Sequence, residues 1–169
     1  MDIELAITTA LTYENRVVKV YEEAAAATED PAGKKMFGVL VRDEQSHVRY
    51  LESKLAEWKQ SGRVTAGRLE TLIPSVERIE SGIKSLKAHV ATKSPESELH
   101  LLHRALQVEV ETSAFYKSVV SELPAEARPL FQRFVEIEEG HQKIVQAEID
   151  SVSGLGFWFD MMEFDLAAG

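Results

Sequence analysis

The chain has 169 residues, 44% of them hydrophobic, which is enough for one core but not comfortably for two. A formal net charge of −9 with no basic face argues against a nucleic-acid partner, and leaves acid groups in excess for binding cations. The absence of cysteine excludes disulfides, thiolate metal sites and any iron–sulfur or rubredoxin-type cluster of the chain's own, so any electrons it uses come from elsewhere.

Sparse Pro and Gly, with Ala, Leu, Val, Glu and Lys between them, predict an all-α chain. The opening Met1-Asp2-Ile3-Glu4 has neither a basic nor an apolar leader region, and no apolar run approaches bilayer length. A soluble, cytoplasmic protein with no membrane contact is therefore expected. The first helix is expected from about Asp2 to Thr28. Asp30-Pro31 then reads as a cap followed by a first-turn proline, opening a second helix that runs to about Gln60. Ser61-Gly62 closes it. Residues 61–93, interrupted by Gly67, Pro74 and Gly82, read as a crossover connection carrying an amphipathic helix of its own.

Ser94-Pro95-Glu96 repeats the cap-and-proline signal and opens a third long helix ending near Leu123-Pro124. A fourth is expected from about Ala125 to Asp150. Residues 154–169 form a C-terminal tail dense in aromatics, Phe157-Trp158-Phe159 among them, which must be covered either by its own bundle or by a subunit. All 169 residues are read as one domain.

The informative signal is an internal repeat. Glu14 and Tyr21 are seven apart, as are Glu109 and Tyr116, while Glu44-x-x-His47 has its counterpart in Glu138-x-x-His141. Residues 3, 4 and 7 apart share a helix face. On that rule Glu14 lies among Ile7, Ala10, Leu11, Val17, Val18 and Tyr21, and Glu109 among Leu102, Ala105, Leu106, Thr112, Ser113 and Tyr116. Glu44 and Glu138 interrupt apolar stripes in the same way. Four carboxylates thus face the core with no Lys or Arg on their faces. Burying one unpaired carboxylate costs several kcal/mol. Two divalent ions balance about four negative charges and leave neutral imidazoles as further ligands. The neighbouring acids Asp43, Glu111 and Glu139 are rotated away and are expected to point outward. His89, His100 and His103 read as solvated.

At these residues the chain resembles the rubrerythrin and ferritin-like di-iron family, over roughly Leu5 to Thr28, Phe37 to Leu55, Leu101 to Val120 and Phe131 to Ile149. Glu from two helices and Glu-x-x-His from two others is the known ligand set of such bundles. The resemblance implies a ferritin-like four-helix bundle holding two iron ions, with manganese or another divalent metal as a substitute. In it Glu14 and Glu109 would be terminal ligands, Glu44 and Glu138 bridges, and His47 and His141 one ligand each. Tyr21 and Tyr116 would donate hydrogen bonds to carboxylates.

The chemistry implied is reduction of hydrogen peroxide at the di-iron site, with electrons from an external, rubredoxin-like donor. An elongated bundle with an aromatic tail also suggests a homodimer. Thr112 and Ser113 depart from the family pattern, standing where rubrerythrins carry an additional carboxylate. Two other readings stay open. One is a ferroxidase or iron-handling protein acting on Fe²⁺ with dioxygen or peroxide, although Gln45 stands where bacterioferritins carry a haem-binding Met. The other is a non-catalytic helical interaction module stabilised by metal.

Overall fold

The computed structural model describes residues 2–29, 31–85 and 96–153. These form five helices and no strand: α1 Ile3–Ala27, α2 Pro31–Ser61, α3 Val76–Ser85, α4 Glu96–Glu122 and α5 Pro129–Val152. Asp2 caps α1, its Oδ1 accepting from the amides of Glu4 at 2.9 Å and Leu5 at 3.1 Å. The buried stripe Ala6, Ile7, Ala10, Glu14, Val17 and Tyr21 follows helical spacing. Thr28, in extended conformation, ends the helix. The expected Asp30 cap, the Ser94-Pro95 signal, His89 and the aromatic tail lie outside the described residues.

α1 packs on α2 and α4 on α5, and α1 also packs on α4. The last two run antiparallel: Tyr13 stacks on Phe115, Arg16 pairs with Glu111, and Arg104 pairs with Glu23. One apolar core runs through all five helices, with Phe37, Leu40, Tyr116, Phe131 and Phe134 among its largest buried side chains. α5 begins at Pro129 rather than near Ala125 as the sequence suggested. Residues 125–128 instead form tight turns, Ala127 N–H donating to Pro124 O, and the Arg128 Nε–H donates to Leu123 O at 2.9 Å. Pro129 then sits at the first helical position, where its missing N–H costs nothing.

Gly62 ends α2 with φ +64, its amide donating to Trp58 O at 2.7 Å. A Cβ there would meet nothing within 4 Å, so the need for glycine is purely conformational. Gly62→Ala should therefore destabilise the protein by about 1 kcal/mol, a fall of roughly 2–4 °C in Tm by differential scanning fluorimetry.

After this turn the crossover doubles back along α2. Thr65 donates its amide and hydroxyl to Glu57 Oε1, Tyr50 donates to Gly67 O, and Thr71 and Leu72 reach Asp43. Leu69 and Ile73 from this segment are buried in the core. α3 then packs on α5, where Lys143 and Glu80 lie 2.7 Å apart and Ile79 is buried. Gly82, read from the sequence as an interruption, lies within α3.

Candidate metal centre

α1, α2, α4 and α5 each place acid groups at mid-length on the inward face. Glu14, Glu44, His47, Glu109, Glu138 and His141 are all fully buried. Their ligand atoms fall into two groups, Glu14, Glu44, His47, Glu138 and Glu44, Glu109, Glu138, His141, within each of which the atoms lie within 4.8 Å of one another. Glu44 and Glu138 belong to both. All six residues singled out by the sequence repeat are thus brought together.

His47 Nδ1 lies 3.0 Å from Glu44 Oε2, 3.3 Å from Glu14 Oε2 and 3.8 Å from Glu138 Oε1. His141 Nδ1 lies 2.6 Å from Glu44 Oε1 without hydrogen-bond alignment, 3.8 Å from Glu109 Oε1 and 3.9 Å from Glu138 Oε2. The two imidazoles stack with centroids 5.7 Å apart. Both therefore turn the same nitrogen, Nδ1, toward the carboxylates.

Tyr21 donates to Glu109 Oε1, and Tyr116 donates to Glu14 Oε1. Each tyrosine thus serves the glutamate of the other half. Burial, and then the charges of Glu109 and Glu44, push the Tyr21 phenol well above its usual value, and burial with Glu14 does the same for Tyr116. Both hydroxyls keep their protons and remain donors.

The other acids and histidines considered in the sequence fall into two kinds. Glu139, His100 and His103 are exposed as expected, and Glu111 is half-buried in its pair with Arg16. Asp43 corrects the sequence reading, which placed it outward. It is fully buried, because the crossover folds over that side of α2. Its Oδ2 lies 3.0 Å from His141 Nε2 and accepts from the Thr71 hydroxyl at 2.6 Å, and its Oδ1 accepts from Leu72 N–H at 2.6 Å. Burial raises the Asp43 pKa, but the hydrogen bond and charge of His141 outweigh it and bring the group down to about 2. No helical-wheel argument finds this residue, since what covers it comes from the irregular crossover. The only hint in the sequence is an acid one position before Glu44.

Burial raises Glu44, and the charge of Glu14 adds to it; burial and then Glu138 raise Glu109 well above the usual carboxylate value. Burial alone would lower His47, yet Glu44 and Glu14 hold it well above its normal value, as Glu44, Asp43 and Glu138 do for His141. Such a cluster favours whatever positive charge it can hold.

The fit to metal rests on unpaired atoms. Glu44 Oε1, Glu109 Oε2, both oxygens of Glu138 and His141 Nδ1 are buried without a hydrogen-bond partner in the protein. Buried polar atoms are normally paired, and an unpaired carboxylate is the costliest exception. No Lys or Arg ion pair reaches the cluster among the described residues. Oxygen and imidazole donors brought by three helices to each of the two groups suit a divalent transition metal.

The class defined by these features is a helical bundle with a buried carboxylate–histidine cluster able to hold metal. Compared with known proteins, the chain matches no family model, no curated protein and no solved structure. No helix among the described residues is long and apolar enough to cross a membrane.

Proposed function

We propose that this chain is a ferritin-like di-iron protein, two repeated helical hairpins holding two iron ions, that reduces hydrogen peroxide to water with electrons from an external donor. The observation that carries the reading is the pair of four-residue ligand groups sharing Glu44 and Glu138. Two shared carboxylates and one imidazole per position describe a dinuclear centre better than two separate ones. A cytoplasmic homodimer served by a rubredoxin-like donor belongs to the same proposal.

Iron held by Glu14, Glu44, His47, Glu109, Glu138 and His141 would, in its reduced state, supply the two electrons that with two protons convert one peroxide to two waters. The protein's own groups hold and shield. Tyr21 and Tyr116 keep Glu109 and Glu14 oriented, while Glu138, with no protein hydrogen-bond partner at either oxygen, would be held by the metal alone. Phe134 stacks on Tyr116 with centroids 4.6 Å apart and meets His47 edge-on at 5.4 Å, excluding bulk water from this side.

A specific observation favours a second reading, Fe²⁺ oxidation. Thr112 and Ser113, in the turn after Glu109, are buried but bring no carboxylate to the site, and the Ser113 hydroxyl is unpaired. Mixing the anaerobic, iron-loaded, reduced protein with peroxide or dioxygen separates the two. The peroxidase reading expects far faster oxidation by peroxide, with a fixed stoichiometry of two irons per chain. Continued uptake of many irons per chain would replace it with iron handling. Inertness toward both oxidants would leave a metal-stabilised structural module.

A further inference from the structure

We propose that the crossover strap, residues 69–73, positions one metal ligand only and thereby makes the two metal positions unequal, with the Glu109/His141 position the tighter. The inference rests on the two-metal reading above. Its basis is a difference between the two Glu-x-x-His segments, which read Asp43-Glu44-Gln45-Ser46-His47 and Ile137-Glu138-Glu139-Gly140-His141.

Two of these differences meet at the strap. Asp43 accepts from the Thr71 hydroxyl and the Leu72 amide, both at 2.6 Å, and Ile73 N–H in turn donates to the Thr71 hydroxyl at 3.2 Å. The carboxylate so held lies 3.0 Å from His141 Nε2. On the other side, Ile73 rests on Gly140: a Cβ there would come within 2.6 Å of the Ile73 Cδ1. The strap is thus seated on the residue before His141 while gripping the acid that holds His141.

His47 has no such support. Its Nε2 is 3.8 Å from Asp43 Oδ2 and makes no hydrogen bond, although it is buried. The position equivalent to Asp43 in the second segment is Ile137, which has nothing to offer it. A carboxylate on the far nitrogen fixes the tautomer and ring angle of a ligating histidine and raises its basicity. Losing such a partner typically costs about 10–100-fold in metal affinity. That advantage belongs to His141 alone.

The test is a calorimetric titration of the metal-free full-length protein with Co²⁺, with absorption spectra recorded in parallel. Wild type should bind two ions in resolved steps, the first at least about ten-fold tighter. Thr71→Val should weaken that first step by about ten-fold and leave the second unchanged, and Thr71→Ser should restore it. His141→Ala should abolish the tight step and His47→Ala should retain it. Circular dichroism and Tm of each metal-free variant separate this from a folding defect, which would weaken both steps and would not be repaired selectively by Ser. Two equal steps in wild type, or a Thr71→Val protein that titrates like wild type or loses both steps equally, would overturn the role of the strap while leaving the dinuclear site intact. Less than one ion per wild-type chain would instead remove the metal reading itself.

Discussion

On the proposed two-metal centre, Glu44→Gln should abolish binding of both ions and at the same time make the metal-free protein more stable. Both effects have one origin. Glu44 belongs to both ligand groups, so an amide in its place removes a shared anionic ligand from each position. In the metal-free state, however, burial raises the pKa of the same carboxylate and the charge of Glu14 adds to it, and His47 and His141, 3.0 and 2.6 Å from its two oxygens, only partly offset them. Replacing it by a neutral side chain of the same shape should relieve about 1–2 kcal/mol, or roughly 2–8 °C in Tm. Metal analysis should fall from about two ions per chain to near none, and added metal should no longer raise Tm. A variant that still carries two ions would show that Glu44 bridges nothing. A metal-free variant less stable than wild type would show that the cluster is balanced within the protein.

Chelation of the wild type should produce the second large effect. Each ion present at a thousand times its dissociation constant contributes about 4 kcal/mol, so complete removal should lower Tm by on the order of 10 °C or more. The pH dependence should also change sign. In the metal-free fold His47, His141, Glu44 and Glu109 all have raised pKa values, so the folded state holds protons that the unfolded chain has given up. Their contribution to stability is fully present below the unfolded values, and is lost as pH rises from the ordinary carboxylate value of 4.5 through the ordinary histidine value of 6.5 toward the raised folded values, whereas Asp43, held down at about 2, acts the opposite way only below its ordinary value of 3.8. With metal bound these groups carry no proton in the folded state, and stability rises with pH over the same interval as protons cease to compete. Thermal scans from pH 5 to about 8, with and without chelator, should therefore diverge; parallel curves would mean that the cluster does not exchange protons for metal.

Much of this architecture was open to the sequence because the long helices carry their buried faces as a periodic signal. The inward set on α1, from Ala6 to Tyr21, and the four glutamates that interrupt the core stripes follow directly from residues 3, 4 and 7 apart. What periodicity cannot describe is the segment between Gly62 and Val76, where backbone direction is set by individual hydrogen bonds to Glu57, Tyr50 and Asp43. For that reason periodicity alone points Asp43 outward. A helical wheel tells which way a side chain leaves its helix, not what lies over it. The start of α5 is hidden for a related reason, because the turns over residues 125–128 use helix-compatible residues. The pairing of each tyrosine with the opposite glutamate was equally invisible, since the repeat gives matching positions but not how the halves face one another.

That exchange has a consequence for folding. Tyr21 meets Glu109 while Tyr116 meets Glu14, so residue i of one hairpin meets residue j of the other, and j meets i, the reciprocity of an isologous dimer written within one chain. Sliding α1 along α4 by one helical turn, about 5.4 Å, would break both bonds together, because an antiparallel slip carries both donors away from their acceptors. The two phenol–carboxylate pairs therefore act as a register gauge: only one longitudinal alignment of the hairpins completes both, and only that alignment closes the acid cluster.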